Sequence, residues 1–124
     1  MKDEKFKIVV LTKEFLFDIN DILCRFPNNE KVLKDKMKSI IYEMLELIYA
    51  ANYMSLDKYK KERNQLQIKI LSKISLIDLL LEESYRKGYI TESIFHNKSA
   101  VLTNLSVMVK RWIVYEKSNS KGNS

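Results

Sequence analysis

Glycine, proline and cysteine are all scarce in this chain of 124 residues, which has two glycines, one proline and one cysteine. So few turn-forming residues disfavour a β-sandwich or β-barrel, which needs many tight turns. Leu, Ile, Lys and Glu, which are compatible with helices, are abundant instead, and five methionines add to them. The single cysteine, Cys24, excludes an internal disulfide and fits a reducing compartment, where we expect it to act as a small apolar side chain. The composition predicts one all-α domain.

Long apolar runs are also absent, because no stretch approaches the roughly 18–20 apolar residues that a membrane-spanning helix needs. The first residues, MKDEKFKIVV, carry acids among the lysines and lead into no small-residue cleavage site. They therefore do not resemble a signal peptide. We predict a cytoplasmic protein that has no membrane partner.

Apolar side chains recur at helical spacing in four segments, which we predict to be helices over residues 3–24, 30–53, 56–87 and 92–116. Pro27 ends the first of these segments, and Gly88 is a predicted C-terminal cap. The predicted N-caps are Asn28 or Asn29, Ser55 and Thr91. Short connections predict an antiparallel up-and-down four-helix bundle over residues 1–117, followed by a disordered polar tail over residues 118–124.

Each predicted helix has an apolar stripe that should face the core, and a second apolar row flanks it in the first helix (Val9, Leu16 and Leu23) and in the fourth (Leu102, Val109 and Ile113). The predicted stripes are Ile8, Leu11, Phe15, Ile19 and Ile22 in the first helix; Leu33, Met37, Ile40, Ile41, Met44, Ile48 and Ala51 in the second; Tyr59, Leu66, Ile70, Ile74, Ile77 and Leu81 in the third; and Ile94, Val101, Leu105, Met108 and Trp112 in the fourth.

The third helix changes character after Lys73, because Leu76, Leu79 and Leu80 fill the face that was polar in its first half. A helix that is apolar almost all round has to be covered on both sides, and a four-helix monomer covers only one. We therefore predict that these three leucines form a subunit interface in a homo-oligomer.

Groups for catalysis or metal binding are not found in the sequence. His96 is the only histidine, and Glu92 is the only carboxylate set at helical spacing before it. A zinc or di-metal site needs several clustered ligands, and a phosphate-binding loop needs closely spaced glycines. We predict that the protein is not an enzyme, uses no cofactor or metal, and has no small-molecule substrate.

Positive charge is concentrated in the middle of the chain. The net charge is +6, and residues 25–73 hold eleven basic and six acidic side chains, a balance of +5. The candidate cations are Lys31, Lys34 and Lys38 on the second helix and Lys58, Lys61, Lys69 and Lys73 on the third. Such an array can contact nucleic-acid phosphates, but it can equally be a solvated face that neighbouring acids partly neutralise. Both interpretations stay open on charge alone.

Three segments resemble the bacterial four helix bundle protein family. They are ILCRFPNNEKVLKDKMKSIIYEMLELIYAANY at 22–53, LIDLLLEESYRKGYIT at 76–91 and MVKRWI at 108–113. The Arg-Phe-Pro turn before the second helix and the tryptophan near the end, Trp112, are similar to the motifs of the family. Where many members have glycine before the tryptophan, this chain has Lys110 and Arg111. This departure indicates either a different local packing or an added basic patch.

Two branches of the family share this pattern. The stretch from Leu76 to Leu81 looks more like the branch formed by the accessory variability determinants of diversity-generating retroelements. That resemblance implies a homopentameric barrel that binds RNA or DNA and associates with the reverse transcriptase of the element during mutagenic cDNA synthesis. The alternative is a protein–protein scaffold, or a protein of the ribosomal-RNA intervening-sequence branch, whose positive charge is incidental.

Overall fold

The computed structural model describes the backbone of residues 2–122 and the side chains of residues 5–118. Over this range the chain forms four α-helices and no strand, which confirms the predicted fold class. The helices are α1 (Lys2–Leu23), α2 (Lys31–Tyr53), α3 (Leu56–Arg86) and α4 (Glu92–Gly122). The last helix runs past its predicted end at Glu116, so the predicted disordered tail begins as helix, whereas Asn123 and Ser124 lie outside the described residues.

The four helices form an antiparallel ring in which each packs against two neighbours, α1 on α2, α2 on α3, α3 on α4, and α4 on α1. Contacts near the helix ends show the directions. Arg63, early in α3, bonds Glu116 late in α4, and Lys98, early in α4, pairs with Asp18 late in α1 at 3.0 Å. This is the up-and-down topology expected for helices joined by short connections.

The core between the helices is mostly aliphatic. All seven residues of the stripe predicted for α2 are buried, and the largest fully buried side chain is that of Trp112. In α1, Leu11 and Ile22 are only partly buried, whereas Leu16 and Leu23, from the row beside the predicted stripe, lie in the core. In α4 the row beside the stripe likewise supplies Leu102 and Val109 to the core.

Two predictions for α3 are wrong. Tyr59, placed in the core stripe, is 39% exposed, because its backbone leaves the helical conformation at φ −123° and ψ 34° and kinks the first turn. Leu80, assigned to a subunit interface, is 8% exposed and belongs to the core of its own chain. Leu76 packs against that core as well, so Leu79, at 57% exposed, is the one interface candidate that solvent largely surrounds.

The connections follow the predicted signals only in part. Thr91 accepts the amide hydrogen of Ile94 at its Oγ1 (3.1 Å), as an N-cap should. Gly88 has φ +80°, the left-handed conformation that ends many helices and that glycine adopts without strain. Glu30, and neither Asn28 nor Asn29, is the N-cap of α2. Cys24 is exposed, contrary to the expectation of an apolar helix position.

Candidate nucleic-acid interface

The three lysines of α2 form one cluster on the first two turns of the helix. Lys31, Lys34 and Lys38 line a depression of about 340 Å³ together with the end of α1. Their spacing of three and four residues places them on one face, because a helix turns once every 3.6 residues. None of the three makes an ion pair with another residue of the described chain, although Asp35 lines the same depression. The structure therefore supports a compact cationic cluster here.

Lys69 and Lys73 belong to α3 and lie beside the other flank of α2. Together with Glu43 and Glu46 of α2 they line a depression of about 450 Å³ between the two helices. The Lys73 ammonium donates a hydrogen bond to Glu43 at 2.8 Å. This bond and the charge of Lys73 lower the pKa of Glu43 below its usual range. Lys73 is therefore already neutralised by a carboxylate, and the mixed charges make this region a weaker anion site than the α2 cluster.

Lys58 and Lys61 lie at the far end of the bundle from the α2 cluster, because α2 and α3 are antiparallel. The Lys58 ammonium lies 5.4 Å from the ring centre of Tyr59. With a rise of about 1.5 Å per residue, about 30 Å of helix separates Lys34 from the α2–α3 connection. The predicted lysines consequently form separate clusters along the bundle and do not form one continuous stripe.

Lys110 and Arg111 are exposed on the outer face of α4, beside the buried Trp112. They line a shallow depression of about 450 Å³ with Val107, Val114, Tyr115 and Ser118. Both cations are exposed, so they form a small basic patch on the surface of α4. This patch also carries apolar side chains, since Val114 is 63% exposed.

A buried polar network lies at the end of the bundle where α2 passes into α3, and the sequence reasoning missed it. The Arg63 guanidinium donates from Nε and Nη2 to the two carboxylate oxygens of Glu116. Glu116 also accepts hydrogen bonds from Gln67 Nε2 (3.0 Å) and Trp112 Nε1 (2.6 Å). All four residues are at most 7% exposed. The Glu116 carboxylate is thus saturated by donors from α3 and α4.

Arg63 also closes the C-terminal end of α2. Its Nη1 group donates to the backbone carbonyls of Ala51 and Met54, which the helix itself leaves without partners. The sequence spacing in α3 could have predicted that Arg63 lies on the inward face of the helix. Arg63 lies four residues after Tyr59, within the seven-residue gap of the predicted core stripe before Leu66, so helical periodicity alone places it inward.

A groove between α3 and α4 lies against this network. It has a volume of about 540 Å³, and its lining residues are Lys60, Lys61, Asn64, Gln67, Ile113, Glu116 and Lys117. Lys61 was a predicted site residue, but Lys60 and Lys117 were not. The antiparallel packing brings Lys60 and Lys61, early in α3, to the same groove as Lys117 late in α4.

The histidine adds no metal site to these surfaces. His96 Nε2 lies 3.3 Å from Glu92 Oε1, four residues earlier on the same exposed face. Among the described residues, no group of three or more His, Cys, Asp or Glu side chains is arranged to hold a metal ion. None of the helices in the described range is long and apolar enough to cross a membrane.

Comparisons with protein family models, with curated proteins and with solved structures found no match to this chain.

Proposed function

We propose that the protein is a non-catalytic, nucleic-acid-binding accessory protein of a diversity-generating retroelement. In this role it acts as a cytoplasmic homopentamer, holding RNA or DNA while the partner reverse transcriptase performs mutagenic cDNA synthesis. The resemblance of the three sequence segments supports the retroelement assignment. The surface charge described above supports the nucleic-acid part.

The observation that carries the nucleic-acid proposal is the α2 cluster of Lys31, Lys34 and Lys38. Three ammonium groups on one helix face, without ion-pair partners in the described chain, remain available to phosphates. Phosphate contacts by such groups position a backbone without reading its sequence. We therefore expect binding that depends on charge and shape.

Titrating the protein with a structured RNA and with duplex DNA at rising salt tests this proposal. The variant Lys31→Gln/Lys34→Gln/Lys38→Gln should reduce the slope of log K against log salt by about 2 to 3, because each phosphate contact contributes about 0.7–0.9 to that slope. The matched control is Lys5→Gln/Lys7→Gln/Lys13→Gln on α1, which removes the same charge elsewhere. Absence of binding at low salt, or equal losses in both variants, contradicts the proposal.

Co-purification with a reverse transcriptase encoded next to this gene tests the partner, and light scattering of the intact protein tests the assembly. Five subunits per particle and a stable complex with the polymerase are the expected results. A gene lying inside a ribosomal-RNA operon, with no reverse transcriptase or paired repeats nearby, would contradict the retroelement assignment.

A protein–protein scaffold is the second candidate, and exposed apolar side chains on the outer faces of the helices favour it. Phe6 and Phe17 of α1 are 71% and 59% exposed, and Leu79 and Val114 are also largely exposed. Under this alternative the protein assembles through these faces and its affinity for nucleic acid stays the same when the α2 cluster is neutralised.

A further inference from the structure

The groove between α3 and α4 has the dimensions of a small-molecule site. Its volume of about 540 Å³ lies within the range of roughly 300–1,000 Å³ typical of ligand pockets. One wall comes from the start of α3 and the other from the end of α4, and both helices are tied together beneath the groove by the Arg63–Glu116 contact. The walls are consequently held at a fixed separation.

The charge of the groove is suited to an anion. Lys60, Lys61 and Lys117 line it, and none of them forms an ion pair with another residue of the described chain. Among the described residues, Glu116 is the only acid that lines the groove. Its carboxylate is paired with the Arg63 guanidinium and accepts two further hydrogen bonds, so its charge is compensated within the protein. The three lysines therefore set the field in the groove.

The rest of the lining offers contacts that a simple anion such as phosphate would not use. Ile113 offers an apolar surface, and the partly exposed Asn64 amide offers a donor and an acceptor side by side. An amide of this kind can pair with the polar edge of a nucleobase, whose flat face is apolar. We propose that this groove binds a nucleoside phosphate, with the phosphate on Lys60, Lys61 and Lys117 and the base between Ile113 and Asn64.

A nucleoside phosphate can reach the groove in two forms, as a free nucleotide or as an unpaired nucleotide of a single strand. The proposal goes beyond the nucleic-acid interface described above, because the groove shares only Lys61 with the predicted site residues. It also predicts a preference for the base in addition to the phosphate, which the α2 cluster does not provide.

The chain contains its own probe for this site. Trp112 is the only tryptophan, and its indole N–H donates to Glu116, a residue of the groove lining. A ligand that contacts the groove should therefore perturb the fluorescence of Trp112. Binding at the α2 cluster, at the other end of the bundle, should not.

The experiment titrates the full chain with adenosine monophosphate, with a short single-stranded oligoadenylate and with inorganic phosphate, recording Trp112 fluorescence and the heat of binding. We expect saturable binding of the mononucleotide or the oligonucleotide that is on the order of tenfold tighter than that of phosphate. Saturation by the mononucleotide identifies a free-nucleotide site, and saturation by the oligonucleotide alone identifies a strand.

Variants separate this site from the rest of the surface. Lys60→Gln/Lys61→Gln/Lys117→Gln should weaken binding on the order of tenfold or more, because bonds to charged groups are lost. Asn64→Leu should weaken nucleotide binding and leave phosphate binding unchanged, which a merely structural role would not produce. Lys5→Gln/Lys7→Gln/Lys13→Gln on α1, which removes the same charge away from both proposed sites, should bind as the wild type does, and circular dichroism verifies that each variant is folded.

The proposal is overturned if neither nucleotide ligand gives a saturable response, or if inorganic phosphate binds equally well. Its failure can be distinguished from failure of the proposed function. Loss of structured-RNA binding in the α2 variant, with no nucleotide response in the wild type, would leave the nucleic-acid interface standing and remove only the groove.

Discussion

The two ends of the bundle terminate their helices in different ways. At the α3–α4 end, where α1 also passes into α2, neighbouring residues in the sequence supply the terminating contacts of the α3–α4 connection. Thr91 caps α4, and Gly88 ends the turn after α3. At the α2–α3 end, Ser55 is the N-cap of α3 but makes no side-chain capping hydrogen bond. There a buried arginine from the next helix bonds the last carbonyls of α2.

The difference also affects what each end buries. The α3–α4 end is closed by apolar side chains, with the Phe26 and Tyr89 rings 5.1 Å apart. The α2–α3 end buries a charged pair, Arg63 and Glu116, together with Gln67. Removing both charges of a pair from water costs free energy that good geometry and full hydrogen bonding can offset. We therefore expect the network to contribute more to the register of α3 against α4 than to net stability.

Breaking the network by Arg63→Met should have the largest effect on stability. The substitution leaves the buried carboxylate of Glu116 without its counter-charge, and such losses cost about 3–5 kcal/mol. The measurement is the free energy of unfolding from urea titration followed by circular dichroism. The matched control is Arg86→Met, which removes an exposed arginine paired with Glu82 at 3.0 Å and should cost less than about 1 kcal/mol.

Replacing both charges sharpens this test. Arg63→Met/Glu116→Leu should be more stable than Arg63→Met alone, since no unpaired charge remains. It should stay less stable than the wild type, because Gln67, Trp112 and the α2 carbonyls lose their partners. Equal losses for Arg63→Met and Arg86→Met would show that the buried pair is no more important than a surface pair.

The contrast between the two ends shows which features of the fold can be predicted from the sequence. The helix count, the whole core stripe of α2 and the cap at Thr91 follow from periodicity and local residue preference, which act within a few positions. Arg63 and Glu116 lie 53 residues apart, and only the packing of α3 on α4 shows that they meet. Leu80 was misassigned for a similar reason, because the amount of surface that neighbouring helices cover is a tertiary property.

The lysine clusters show the same limit for the candidate site. Spacing correctly placed Lys31, Lys34 and Lys38 on one face of α2. It could not show that Lys73 is paired with Glu43 of another helix, nor that Lys60 and Lys117 share a groove. Contacts within one helix were predictable, and contacts between helices required the fold.

Removing the side-chain hydroxyl of one N-cap residue at each end should have the next largest effect on the free energy of unfolding. Thr91→Ala should lower the free energy of unfolding by about 1 kcal/mol, because its Oγ1 accepts the Ile94 amide hydrogen. Ser55→Ala should change it by less than about 0.5 kcal/mol, because the Ser55 side chain makes no capping bond. Urea titration measures the free energy of unfolding of both variants. Equal losses in the two variants would mean that the two ends are terminated alike.

The smallest expected effect concerns a surface contact of the α3–α4 end. The Tyr89 hydroxyl donates a hydrogen bond to Glu30 Oε1 at 2.7 Å, and Lys87 Nζ lies 3.4 Å from the same oxygen. The bond from Tyr89, followed by the bond and charge of Lys87, holds the pKa of Glu30 below its usual range. The same bond, with burial, raises the pKa of Tyr89.

These opposite shifts define a pH window for the variant Tyr89→Phe. A lowered glutamate pKa contributes stability above its ordinary value, and that contribution is lost as the pH falls through the folded value. A raised tyrosine pKa contributes below its ordinary value and is lost as the pH rises through the folded value. The stability difference between wild type and Tyr89→Phe should therefore be largest near neutral pH and shrink towards both extremes. Urea titrations across pH measure it, with Tyr42→Phe on an exposed face of α2 as the control. A difference that stayed constant with pH would mean that the hydroxyl contributes through packing and not through its bond to Glu30.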